Sequence, residues 1–284
     1  PVVAGVFDGH GELGHRVSAF VVDKLRPELL GTAEEAGQLT ERSFSRKLAG
    51  AFDRTNRLLS SSGIDVRHSG TTACTAQLTG DSLVVANVGD SRAVIGRWEP
   101  TASAVVARDL SFDHKPDSES EHRRIIKTGG RVAPMHVPGH GFVGPARVWD
   151  RSQRFGLATS RAFGDTTHAA ANGGAVIAEP EVTTHKLGEN DRVVIMGTDG
   201  VWDQITSQEA VSIAARVGGD PKLASEHIAR EAKRRWEAMG PVRDDITAVV
   251  LKLEQVAPSS SGSGGLGSDA APHMTVINEK RGGA

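Results

Sequence analysis

Short apolar runs that stop on aspartate or glycine constrain this chain more than any other feature of its sequence. No unbroken apolar stretch is longer than about six residues, as in Val2 to Phe7, so none approaches the roughly 20 residues of a membrane-crossing helix. Runs of that length read as strands: Pro1 to Phe7, Thr71 to Leu78, Leu83 to Val88, Ala93 to Ile95, Arg192 to Gly197 and Ile246 to Leu253. Thr79-Gly80-Asp81, between the second and third, is a hairpin signal. Helical spacing appears over Val17 to Leu30, Phe44 to Leu59 (capped by Thr40 or Ser43), Ser118 to Lys127, Ser207 to Arg216 and Pro221 to Glu237. Strands joined as hairpins, with helices gathered in pairs, predict an α+β fold.

Two stretches escape this pattern. Residues 133 to 154 hold Pro134, Pro138, Gly139, Gly141, Gly144 and Pro145, which predicts an irregular loop. From Ala257 the text turns Ser/Gly-rich, the composition of a flexible linker, so the expected organisation is one domain over 1–256 and a flexible tail over 257–284. Pro1 stands inside an apolar run, as though the chain begins within a domain whose first strands lie upstream.

Charge and cysteine usage exclude several classes. Lys+Arg is 33 against Asp+Glu 35, a net charge of −2, so no basic excess exists to neutralise a nucleic-acid backbone. The single cysteine, Cys74, cannot form an internal disulfide or a thiolate metal cluster. It suits a reducing compartment, the cytoplasm or nucleus.

The aspartates carry the chemistry. Asp8 ends the first strand in Val6-Phe7-Asp8-Gly9-His10-Gly11, and Asp199 ends a later one in Gly197-Thr198-Asp199-Gly200, with Asp203 following at i+4. Asp244 and Asp245 open the last strand, and Asp113 stands in Asp113-His114-Lys115-Pro116. A carboxylate just past a buried strand is held rigidly at a rim, where catalytic ions are commonly placed. An all-oxygen set favours Mg²⁺ or Mn²⁺ over zinc. Taken singly, each Asp-Gly pair is also an ordinary turn signal. His10, beside Asp8, has the pKa range of a general acid, and equally that of a residue orienting a ligand.

Taken together, these segments resemble the metal-dependent serine/threonine protein phosphatases of type 2C. The resemblance begins at Val6-Phe7-Asp8-Gly9-His10-Gly11 and continues through Ser69-Gly70-Thr71-Thr72-Ala73, Val88-Gly89-Asp90-Ser91-Arg92-Ala93 and Asp113-His114-Lys115-Pro116. It runs on through Glu121 to Gly130, Ser160-Arg161-Ala162-Phe163-Gly164-Asp165, Glu179-Pro180-Glu181-Val182, Thr198-Asp199-Gly200-Val201-Trp202-Asp203 and Asp244-Asp245-Ile246-Thr247.

The resemblance implies two packed antiparallel sheets flanked by helix pairs, an α-β-β-α sandwich with a two-metal site at one end. It implies hydrolysis of phosphoserine and phosphothreonine in proteins by a water bridging two Mg²⁺ or Mn²⁺ ions, with phosphorylated proteins as partners of a monomer. Asp8 would bridge both ions and act in catalysis. The Gly9 carbonyl, Asp199 and Asp244 would complete the pair of sites, and Asp113 and Asp203 would hold a third ion. His10 would be the general acid to the leaving oxygen. Residues 133 to 154 and 166 to 175 match the family's substrate-selecting flap.

Three features depart from the family. An arginine that binds the substrate phosphate, and an acidic motif near it, would lie upstream of Pro1. Glu12 replaces a glycine, and Asp245 replaces an asparagine, so either Asp244 or Asp245 is the ligand. These departures motivate an alternative, a catalytically inactive relative acting as a binding module, although such decay is expected to remove the metal aspartates first. Bland structural roles are expected for other motif residues. Ser69 to Ala73 and Ala86 to Ala93 should fix turns and strand pairing, Arg161 and Asp165 should form a structural pair or cap, Trp202 should pack in the core, and Lys233-Arg234-Arg235 should line a solvated helix face.

Overall fold

A computed structural model describes residues 1–35, 40–171, 174–241, 244–254 and 274–279. Strand β1 (Val2–Val6) and the short β2 (Gly9–His10) lead into the paired helices α1 (Gly14–Glu34) and α2 (Glu41–Ser60). Strands β3 (Gly70–Thr71), β4 (Ala73–Thr79), β5 (Ser82–Val88), β6 (Arg92–Glu99) and β7 (Ala104–Asp109) follow, and then α3 (Glu119–Lys127). Next come β8 (Arg131–Val137), β9 (Gly141–Trp149), β10 (Gly156–Leu157), β11 (Phe163–Gly164) and α4 (Thr166–Ala171). The last part holds β12 (Glu181–Lys186), β13 (Asp191–Gly197), α5 (Asp199–Trp202), α6 (Ser207–Arg216), α7 (Pro221–Met239), β14 (Ile246–Lys252) and β15 (Met274–Glu279).

Two antiparallel sheets form the centre, ordered β1-β4-β5-β12 and β15-β14-β13-β6-β7. Their strands read as nearly continuous apolar runs because both faces are covered. On β13, Val194 and Met196 meet Cys74, Ala76 and Val85 between the sheets, while Val193 and Ile195 face Val211 and Ile228 of α6 and α7. On the far side, Val84, Ala86 and Val88 of β5 pack under Val21, Leu25, Leu48 and Phe52 of α1 and α2. The layers are therefore helix pair, sheet, sheet, helix pair, as the resemblance implies.

The helix starts follow local capping rules. Thr40 Oγ1 accepts from the Ser43 amide at 3.3 Å, and Thr206 with Glu209 forms a reciprocal capping box at the start of α6. Arg235 is not simply solvated as expected: its guanidinium binds Glu209 at 2.7 Å and the Gln204 carbonyl at 2.6 Å, tying α7 to α6. Among the described residues no helix is long and apolar enough to cross a membrane.

Residues 133 to 154 are not an irregular loop; most of them form the β8–β9 hairpin. The prolines are tolerated because pairing is interrupted where they lie. The register jumps from Ala133↔Arg147 to Met135↔Val143, leaving Pro134 and Pro145 at the irregularity, where a missing N–H costs no ladder bond. Gly139 and Gly141 adopt φ of +80° and +75° at the turn. Of the expected tail, residues 257–273 and 280–284 lie outside the described residues. Met274–Glu279 instead add β15 to the edge of β14, from Ile246↔Glu279 to Leu251↔Met274, since an open edge offers unpaired N–H and C=O groups to an extended segment.

Candidate active site

The two sheets each deliver a carboxylate to the same end of the sandwich. Asp8 follows β1, and a double link holds it in place: its amide donates to Thr72 Oγ1 at 3.0 Å, and its carbonyl accepts from the Thr72 amide at 2.9 Å. Asp199 opens α5 at the end of β13. There Thr198 Oγ1 donates to the Asp245 carbonyl at 3.2 Å and accepts from the Thr247 amide at 3.1 Å, which joins the start of β14 to the end of β13. Asp8, Asp199 and Asp244 each present an oxygen, all within 4.8 Å of one another.

Burial and crowding dominate the electrostatics of this group. Asp8 is held well above the ordinary carboxylate range, first by burial and then by the charges of Asp244, Asp90 and Asp245. Asp199 is raised further, by burial and by Asp90, Asp8 and Asp244. Asp244 and Asp203 are raised for the same reasons. Asp199 Oδ1 is buried with no hydrogen-bond partner. An orphaned carboxylate oxygen among mutually repelling carboxylates, with only oxygen donors, fits a hard divalent cation.

Other expected site residues fall around this group. Gly9, in β2, packs so tightly that a methyl on its Cα would collide with the Gly14 carbonyl. Asp244 and Asp245 are both exposed; Asp244 joins the group, whereas Asp245 contributes its carbonyl to Thr198. Glu12 is exposed and outside the group. Asp113 is turned toward Arg92, which holds both its oxygens at 2.8 and 2.7 Å. Asp203 senses the charges of both Asp244 and Asp113. Trp202 is buried, its Nε1 donating to the Gly197 carbonyl at 2.8 Å, in keeping with a core role.

His10 Nε2 lies 2.6 Å from Asp165 Oδ2. Burial works to lower the histidine's pKa, yet Asp165, and then Asp90 and Asp199, outweigh it and raise the value above that of a free imidazole. Asp165 is buried and holds the left-handed φ of +47°, a conformation uncommon outside glycine. The expected Arg161–Asp165 pair does not form. Arg161 binds Glu121 instead, at 2.7 and 3.1 Å, with Arg124 on the same carboxylate. Burial alone would raise Glu121, but Arg161, Arg124 and Ser160 bring it down to about 2.

Two acids of the site thus escaped the sequence reading. Asp165, expected only in a structural pair or cap, partners His10 and stands directly before α4. Asp90 was assigned to a turn, yet it is buried, paired with Lys115 Nζ at 2.6 Å, and raises every carboxylate of the group. Its signal was present: Val88-Gly89-Asp90 is another strand that stops on an aspartate beside a glycine.

Comparison with known proteins places the chain in a family. The family model described as protein phosphatase 2C matches residues 2–237. A rice protein (Oryza sativa subsp. japonica) named "Probable protein phosphatase 2C 64" is 37% identical over 262 residues, covering 89% of this chain and 58% of its own length. An Arabidopsis thaliana protein, "Probable protein phosphatase 2C 72", is 35% identical over 261 residues, covering 89% of this chain and 76% of its own. The chain therefore spans a little over half of the rice relative. The crystal structure of a serine-threonine phosphatase 2C from Toxoplasma gondii superposes with a TM-score of 0.75 at 23% identity, over 89% of this chain and 84% of that one, a likeness of fold. With the four-layer sandwich, the converging aspartates and the family model covering most of its length, this chain belongs to the protein phosphatase 2C family.

Proposed function

We propose that this protein hydrolyses phosphoserine and phosphothreonine side chains of proteins. The observation that carries this reading is the Asp8–Asp199–Asp244 group beside a histidine that contacts buried Asp165 at 2.6 Å. Asp8, Asp199, Asp244 and the Gly9 carbonyl would hold Mg²⁺ or Mn²⁺, with Asp113 and Asp203 available to a further ion once Asp113 leaves Arg92. Divalent cations bound there supply charge neutralisation for the phosphoryl group and an activated water.

The chain's own residues do the rest. His10 has one nitrogen, Nε2, committed to Asp165, so Nδ1 is left to pass its proton to the departing seryl or threonyl oxygen. Asp165 fixes the ring and stabilises the imidazolium until that transfer. The inactive alternative is not favoured, because the aspartates whose loss would mark it are all present. We assign the protein to a reducing compartment, the cytoplasm or nucleus, on its one thiol: Cys74 is buried and burial pushes it up to about 12.

The test is phosphate release from a phosphothreonine peptide with Mn²⁺ and with chelator, beside Asp199→Asn. Turnover that needs Mn²⁺ and disappears in the variant supports the reading. A folded, Mn²⁺-binding protein without turnover would return the inactive alternative.

A further inference from the structure

His10 and Asp165 form one wall of a cavity of about 410 Å³, whose other walls come from β8, β9, β10 and the 150–155 turn. The sheet pleat decides what faces it. Val148 is buried against Ile125 and Ala162, so its neighbours Arg147 and Trp149 project to the opposite face of β9, into the cavity. Trp149 Nε1 donates to the Ala133 carbonyl and Arg147 Nη1 to the Gly156 carbonyl, both at 2.8 Å, which fixes the two side chains.

The 150–155 turn is equally fixed. Buried Asp150 accepts from the amides of Arg154 and Phe155 at 3.1 and 3.2 Å and from Ser152 Oγ at 2.6 Å. Phe155 then stacks on His68 with ring centroids 3.8 Å apart. This places Arg154 on the cavity wall.

Charge is unbalanced here. Among the described residues, Arg147 and Arg154 have no carboxylate partner, and the single carboxylate lining the cavity, Asp165, is engaged by His10. The groove between α6 and α7 is different: its Arg234 and Arg235 are matched by Glu231 and Glu209 at 2.7 Å.

We infer that this cavity binds a second anionic side chain of the substrate, close to the phosphorylated residue, with Arg147 and Arg154 as specificity-determining residues. The inference rests on the proposed phosphatase reading, because His10 fixes where the phosphorylated residue lies. Two guanidinium forks suit a carboxylate or a second phosphate, since each presents a pair of anionic oxygens that a guanidinium can bind bidentately.

The test measures binding by fluorescence anisotropy, with the full chain and Mn²⁺. The labelled peptides carry a non-hydrolysable phosphonate analogue of phosphothreonine flanked by glutamate, by phosphoserine or by glutamine. The glutamate or phosphoserine peptide is expected to bind about five- to ten-fold tighter than the glutamine peptide. Arg154→Glu and Arg147→Glu should each reduce that ratio to within about two-fold. Preference for phosphoserine alone identifies the anion as a second phosphate, and equal preference shows that a carboxylate suffices.

Equal affinity for all three peptides overturns the inference, as does a preference that survives both substitutions. So does its loss on Arg216→Glu, which lies in the α6–α7 groove and would report only a general field. Arg154 is exposed in its turn, so its variant keeps the test valid if Arg147→Glu fails to fold. Turnover of p-nitrophenyl phosphate with Mn²⁺ is measured in parallel. Its absence, with the peptide preference intact, removes the phosphatase reading and leaves the anion site standing.

Discussion

His10 and Asp165, 155 positions apart in sequence, meet through a 2.6 Å contact between Nε2 and Oδ2. Gly70 makes room for it: a methyl on its Cα would collide with both of those atoms. The His10–Asp165 contact therefore depends on the absence of a side chain at Gly70.

Asp165→Asn removes the charge that raises the pKa of His10. The raised pKa means that the donor form is complete at low pH and is lost as pH rises through the folded-state value. In the variant that alkaline limb moves to lower pH, and kcat falls by about 10²-fold at pH 8. A pH–rate profile of both proteins, each with Mn²⁺, checks the shift; a profile unmoved by the substitution contradicts the assignment.

Gly70→Ala should uncouple His10 from Asp165 while leaving most of the sandwich folded. The expected cost is about 1–3 kcal/mol of stability, with a kcat loss comparable to that of Asp165→Asn. Urea unfolding measured beside kcat separates the two effects. Full activity in the variant would show that the contact is dispensable.

Removing divalent cations should make the protein less stable as pH rises. Asp8 and Asp199 have folded-state values above the unfolded 3.8, so above 3.8 the folded chain holds more protons than the unfolded chain. Stability therefore declines with increasing pH until the folded groups have also ionised. With chelator, Tm at pH 8 is expected below that at pH 5.5, and Mn²⁺ should raise Tm more at pH 8. Asp199→Asn should raise the chelated Tm at pH 8. Thermal melts across this range, with and without Mn²⁺, provide the measurement.

Glu121 contributes with the opposite sign. Its carboxylate is depressed to about 2, so its stabilisation is complete above the ordinary 4.5 and is lost as pH falls from there through about 2. Glu121→Gln strands Arg161 and Arg124 without their charge partner, and the expected loss is about 3 kcal/mol at pH 7. Denaturant unfolding at pH 7 and pH 3 should show the gap between the two proteins narrowing in acid.

Sequence alone determined the elements whose causes are local. Apolar runs bounded by glycine and aspartate marked β1, β4, β5, β13 and β14, and helical spacing marked α1, α2, α6 and α7, because periodicity and capping depend on near neighbours. The strand-end position of Asp8 and Asp199 was legible for the same reason. Tertiary structure decided which charges meet. Asp165 reaches His10 while Arg161, four residues before it, reaches Glu121, since packing of distant strands selects those partners. It also decided that Asp244 rather than Asp245 faces the other carboxylates, and that a proline- and glycine-rich stretch is the β8–β9 hairpin. The contacts of Asp165, Arg161 and Asp244 span the fold, and no short stretch of sequence encodes them; the hairpin is local, and its pairing accommodates the prolines only at the register irregularity.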